Sequence, residues 1–126
     1  MNYKSARNYL LSRPEAREDF PFGSDVAVIK IDAKMFATLV EAQDNARMNL
    51  KCDPDEALML RDIFPAVIPG YHMNKRHWNT IVLDGSIPRG EIERMIDRSY
   101  ALVVRSLRKT QRQALEIRHG KDVLYR

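Results

Sequence analysis

The sequence predicts an α+β fold: an antiparallel β-sheet of about five strands with N- and C-terminal helices packed on one face. Three observations carry this expectation. Three short segments suited to strands follow one another between Val26 and Lys51 with only short polar turns between them. A helical segment precedes them, and the longest helical pattern of the chain, Ser86 to Leu107, comes near the end. The 126 residues and the 44% hydrophobic content suit one domain with one core.

Each element has its own local reason. Tyr3, Ala6, Tyr9 and Leu10 recur at helical spacing, and Pro14 stops that helix. Glu15 to Gly23 reads as a connector, with Phe20 and Phe22 expected to cover an edge of the core. Val26 to Ile31 is a β-branched run, Asp32-Ala33 turns it, and Met35 to Val40 returns. After a polar loop, Arg47 to Lys51 alternates: Met48 and Leu50 point one way, and Arg47, Asn49 and Lys51 the other. Asp53-Pro54-Asp55-Glu56 is a helix start, with Asp53 as the cap and Pro54 in the first turn. That helix ends near Phe64-Pro65, and Val67 to Gly70 reads as a rigid linker. Trp78 to Leu83 alternates as a strand, and Trp78 is expected to anchor the core. Ser86 is placed to cap the long helix, with Pro88 in its first turn. Ile92, Ile96, Val103 and Leu107 form its inward stripe, with Tyr100 at the border.

Charge is distributed unevenly. The chain carries a net charge of +4. From Arg105 onward there are seven cations against two acids, so the positive charge resides at the C-terminal end. A concentrated cationic segment attracts phosphates better than the same charge spread out. No apolar run reaches the roughly 18 residues that cross a membrane. The lone Cys52 cannot form an internal disulfide, and Met1 to Leu11 lacks an apolar signal core. These features point to a cytoplasmic protein.

The densest polar chemistry lies in Tyr71 to Ser86. Lys75 and Arg76 are adjacent cations ahead of a strand, placed to meet successive phosphates, and Asn74 can add a hydrogen bond. Arg94, Arg98, Arg105, Arg108 and Arg112 fall on one helical face if the helix persists to residue 112, with Ala101 filling the gap. Arg47 and Lys51 on the open sheet face, and His72 and His77, are possible additions. At least one of the two histidines is expected to be hydrogen-bonded in a structural role. Their spacing matches no standard zinc pattern. Asp84 and Ser86 suit a turn, so no catalytic constellation is expected there. No metal or cofactor site is predicted.

The order His72-Met73-Asn74-Lys75-Arg76-His77-Trp78-Asn79-Thr80, then Leu83-Asp84-Gly85-Ser86-Ile87-Pro88, then Asp97-Arg98-Ser99-Tyr100, resembles the MmcQ/YjbR family of small bacterial proteins. Phe20-Pro21-Phe22-Gly23, Lys34-Met35-Phe36-Ala37 and Leu50-Lys51-Cys52 extend the likeness. The resemblance covers roughly residues 3 to 108. It sets out residues 1–108 as one domain and 109–126 as a basic C-terminal extension. It implies a fold like the frataxin homologue CyaY, and it implies DNA binding, with double-stranded DNA as the favoured partner. In frataxin-like proteins acids of the first helix bind iron; here that helix has none before Glu15. The expected function is therefore non-enzymatic, sequence-tolerant DNA binding through a basic loop and an arginine-rich helix face. The alternative is a protein-interaction or adaptor module using the exposed sheet face and the His72–Trp78 loop.

Overall fold

The computed structural model describes residues 1–126. Helix α1 (Tyr3–Ser12) opens the chain, followed by β1 (Ala16–Asp19), β2 (Val26–Ile31), β3 (Lys34–Val40) and β4 (Arg47–Lys51). Helix α2 (Pro54–Ile63) leads to β5 (Val67–Pro69) and β6 (Trp78–Val82). Helices α3 (Arg89–Ser106), α4 (Lys109–His119) and α5 (Lys121–Leu124) complete it.

The six strands form one sheet in the order β1-β2-β3-β4-β6-β5, with every neighbouring pair antiparallel. Residues directly opposite share a face. The register Ile29–Ala37–Leu50–Asn79 and the register Leu39–Met48–Ile81–Val67 therefore mark one side. Nearly all of these side chains are apolar, and all are buried. Helices α1 and α3 cover that side, with Ala6, Leu10, Ile92, Ile96, Val103 and Val104 packed into the same core. The α+β class with helices on one face is thus the architecture of this chain. The opposite side presents Arg47, Asn49 and Lys51 beside Val82, Thr80 and Trp78.

Two strands lie where the sequence predicts connectors. β1 pairs with β2, and β5 with β6, so the sheet has six strands. Both are short edge strands, and β5 contains Pro69. Their strand character comes from the neighbour they pair with, since neither segment carries a pattern of its own. Phe20 and Phe22 cover no core edge: they are exposed, in the turn that links β1 to β2. Tyr100 lies fully inside, with its ring edge-on to Phe36 at 5.3 Å.

The start and end of α3 also differ from expectation. Ser86 does not cap it. The Ser86 N–H and hydroxyl both donate to Asp84 Oδ1, at 2.9 and 2.6 Å, forming a closed turn that leaves Pro88 as the residue before the helix. At the other end the helix stops at Ser106, whose hydroxyl donates back to the Val103 carbonyl at 2.7 Å. Lys34 Nζ donates to the Ser106 carbonyl at 2.8 Å. Leu107 then turns inward, and α4 and α5 fold back to bury Leu115 and Leu124 in the common core. Burying these three leucines requires a change of direction that a straight helix to residue 112 would forbid. Residues 109–126 thus share the core of residues 1–108. No helix is long and apolar enough to cross a membrane.

Candidate nucleic-acid interface

The loop between β5 and β6 is tied down residue by residue. Gly70 N–H donates to the Trp78 carbonyl at 3.0 Å, and a Cβ there would lie 2.8 Å from the Trp78 Cβ and carbonyl oxygen. Tyr71 N–H donates to Thr80 Oγ1 at 2.9 Å, and Asn49 Nδ2 donates to the Tyr71 carbonyl at 3.3 Å. His72 takes a left-handed backbone conformation with φ of 59°. Asn74 Oδ1 accepts the Arg76 N–H at 3.0 Å, an Asx turn that sets the backbone under Lys75. From α2, Arg61 donates to the Lys75 carbonyl and, at 2.7 Å, to Asn79 Oδ1. Asn79 Nδ2 in turn donates to the Ala57 carbonyl at 3.3 Å. The loop is clamped from both faces of the sheet.

This clamping leaves Lys75 and Arg76 exposed, and neither forms an ion pair with a carboxylate. Lys51 belongs with them. It ends β4, opposite Trp78 at the start of β6, so it stands beside the loop, and it too lacks an acid partner. The antiparallel order also brings the β2–β3 turn to this end of the sheet. Lys34 there meets the C-terminus of α3, so exposed Arg108 and Lys109 sit toward the same end.

The row of arginines does not form one ridge. Arg94 lies 3.3 Å from Glu91, and Arg98 pairs with Glu56 on α2. Ala101, between them and Arg105, is buried. Arg105 stacks over the Tyr125 ring with its guanidinium carbon 4.5 Å from the centroid. Arg94 and Arg105 are about 16 Å apart along the helix axis, from the rise per residue. Arg108 precedes α4 and Arg112 lies within it, half-buried, so neither continues the face of α3. Arg47 pairs weakly with Asp44 at 3.4 Å.

The region of strongest sequence signal falls inside a family match. The family model described as YjbR matches residues 11–102. The chain belongs to the YjbR family. It is 35% identical to YbdF of Escherichia coli O157:H7, over 85% of this chain and 88% of that protein. It is 31% identical to YjbR of Escherichia coli strain K12, over 91% and 98%. A crystal structure of a Deinococcus radiodurans protein with a DUF419 domain superposes with a TM-score of 0.84 at 33% identity, covering 90% of this chain and 87% of that one. A Pseudomonas syringae protein gives a TM-score of 0.71 at 28% identity, covering 81% and 98%.

In this YjbR chain most of the motif residues hold the fold. Ser99 Oγ donates to the Phe36 carbonyl at 2.6 Å and accepts the Lys51 N–H at 2.9 Å, tying α3 to β3 and β4. Asp97 accepts the Tyr9 hydroxyl at 2.9 Å. Trp78 is buried, but it does not anchor the core: its register with Lys51 puts it on the sheet face opposite the helices, outside the core cluster. The expected structural histidine is absent: neither the His72 nor the His77 ring makes a hydrogen bond to the protein. His77 contributes its backbone carbonyl to the Cys52 N–H, and the His72 ring rests at a tilt against the Tyr71 ring. Burial, with Glu56 and Asp53 nearby, pushes the Cys52 thiol up to about 12, so it stays protonated at neutral pH. No three His, Cys, Asp or Glu side chains gather to hold a metal. Sequence reasoning did not find Arg61, or the roles of Gly70 at the Trp78 carbonyl and of Asn49 and Asn79. The only signal for Asn79 was its place in the motif, and Arg61 on α2 had none.

Proposed function

We propose that this YjbR-family chain is a non-enzymatic, sequence-tolerant DNA-binding protein of the cytoplasm. Its contacts are phosphate contacts from Lys75, Arg76 and Lys51, extended by Arg108 and Lys109 at the same end of the sheet. The observation that carries the reading is the pair Lys75-Arg76: exposed, free of carboxylates, and mounted on a loop that Arg61 and the Asn74 turn immobilise. A cation that already holds a carboxylate must lose that partner to meet a phosphate, so Arg94 and Arg98 are secondary. Rigid mounting lowers the ordering entropy lost on binding. A non-enzymatic role is supported by the Asp84–Ser86 turn, which accounts for both residues locally, and by the protonated state of Cys52.

The test is fluorescence anisotropy of labelled duplex DNA at several salt concentrations. Binding that weakens with salt, by about 0.9 log–log slope units per phosphate contact, supports the reading. No binding of duplex or single-stranded DNA at low salt overturns it. A second reading, a protein-interaction module, is favoured by a different surface: Leu58, Met59 and Ile63 stand exposed on α2. Their replacement by polar residues would abolish such a contact and leave DNA binding intact.

A further inference from the structure

The same loop carries an aromatic pair that phosphate contacts leave unused. Tyr71 is 66% exposed, although seven other aromatic residues, among them Phe36, Phe64, Trp78 and Tyr100, are wholly or partly buried in the fold. Its ring lies 4.0 Å from the His72 ring, centroid to centroid, at a 50° tilt. The backbone beneath is fixed on both sides, by Thr80 and by Asn49. The register places Ile68 opposite Thr80 on this same sheet face, and Ile68 is also exposed. Lys51 follows Asn49 by two residues on this face, and Lys75 and Arg76 complete the loop. An exposed ring on an immobile backbone, bordered by unpaired cations, matches what an unpaired nucleotide needs: a surface for its base and charges for its phosphates. A duplex offers no free base face to such a ring, since its bases already stack on one another.

We infer that Tyr71 and His72 form a stacking platform for single-stranded nucleic acid, with Lys51, Lys75 and Arg76 holding the flanking phosphates. This rests on the nucleic-acid reading above and names its substrate as an unpaired strand. Charge complementarity and the exposed ring favour that occupant over an apolar protein partner.

The probe is labelled oligothymidylate, compared with a labelled duplex in the same anisotropy titration, using the full chain. The wild type is expected to bind the single strand more tightly. Tyr71→Ala is expected to weaken single-strand binding about tenfold, within the range for loss of one base–aromatic stack. Tyr71→Phe keeps the ring and is expected to restore it, while duplex binding changes little in either variant. A circular dichroism melt checks that the exposed substitution leaves the fold intact. Equal affinity of Tyr71→Ala and wild type for the single strand, with the Lys75→Glu/Arg76→Glu variant still weakened, overturns the platform and leaves nucleic-acid binding standing. Failure of both probes to bind wild type overturns both readings.

Discussion

Arg13 Nε lies 3.4 Å from a carboxylate oxygen of Asp97, and almost none of the Arg13 side chain is open to solvent. The guanidinium sits 4.5 Å above the Tyr100 ring and donates to the Val123 carbonyl at 2.9 Å. Arg126 approaches the same carboxylate at 3.7 Å. One buried cation thus joins the end of α1 to α3 and to α5. Burial lowers the Arg13 pKa, and the Asp97 charge works against that shift.

Removing the Asp97 charge leaves Arg13 buried without its counter-ion. Asp97→Asn is expected to lower unfolding stability by about 3 kcal/mol, the scale for breaking a buried pair from one side. Arg13→Met, which removes the charge and keeps the bulk, is expected to cost less. Urea unfolding of both variants checks the order. An Asp97→Asn midpoint equal to wild type would show that the pair contributes nothing.

Tyr100 makes alkaline stability a second readout of the core. Its hydroxyl donates to the Pro14 carbonyl at 2.7 Å, and burial pushes its pKa up to about 12. A tyrosine in the unfolded chain loses its proton near 10. The folded state therefore binds the proton more tightly. That stability is fully present below pH about 10 and is lost as the pH rises toward 12. Tyr100→Phe is expected to flatten this decline, leaving the part due to Tyr3, Tyr9 and Tyr125, which burial also shifts upward. Thermal melts between pH 9 and 12, a range set by those two values, should show wild type and variant converging.

Gly70 is required for the loop to close on Trp78. A Cβ would fall 2.8 Å from both the Trp78 Cβ and the Trp78 carbonyl oxygen, so backbone must move. Gly70→Ala is expected to destabilise the fold by about 2 kcal/mol, typical of overpacking. It should also weaken nucleic-acid binding by displacing Lys75 and Arg76. Hydrogen exchange at Tyr71 and Cys52, whose N–H groups bond to Thr80 and His77, gives a local measure. Protection unchanged at both amides would contradict the prediction.

The two sets of cations should behave differently in salt titrations. Lys75→Ala and Arg76→Ala are each expected to reduce the log–log salt slope of DNA binding by about one unit. Arg94→Ala and Arg98→Ala are expected to change it little, because Glu91 and Glu56 already neutralise them. A larger slope change from Arg98→Ala than from Lys75→Ala would return the interface to the helix face.

Most of the fold was legible in the sequence. Helix α1, strands β2, β3, β4 and β6, and the capped start of α2 are fixed by signals within a few residues: periodicity, β-branching, Pro14, Asp53-Pro54. The order of motifs from His72 to Tyr100 indicated the family. In the candidate site, the loop with Lys75 and Arg76 was legible as a basic turn.

Only the tertiary structure decided the rest. β1 and β5 become strands because β2 and β6 offer them backbone partners, a property their own residues do not encode. The helix breaks after Ser106 because Leu107, Leu115 and Leu124 gain more by entering a core built from distant segments than by continuing a straight axis. Whether a cation is free depends on acids far along the chain: Glu56 takes Arg98, while nothing takes Lys75. Local pattern sets which element a segment forms, because its forces act over a few residues. Availability of charge and exposure of a ring depend on which remote side chains arrive beside them.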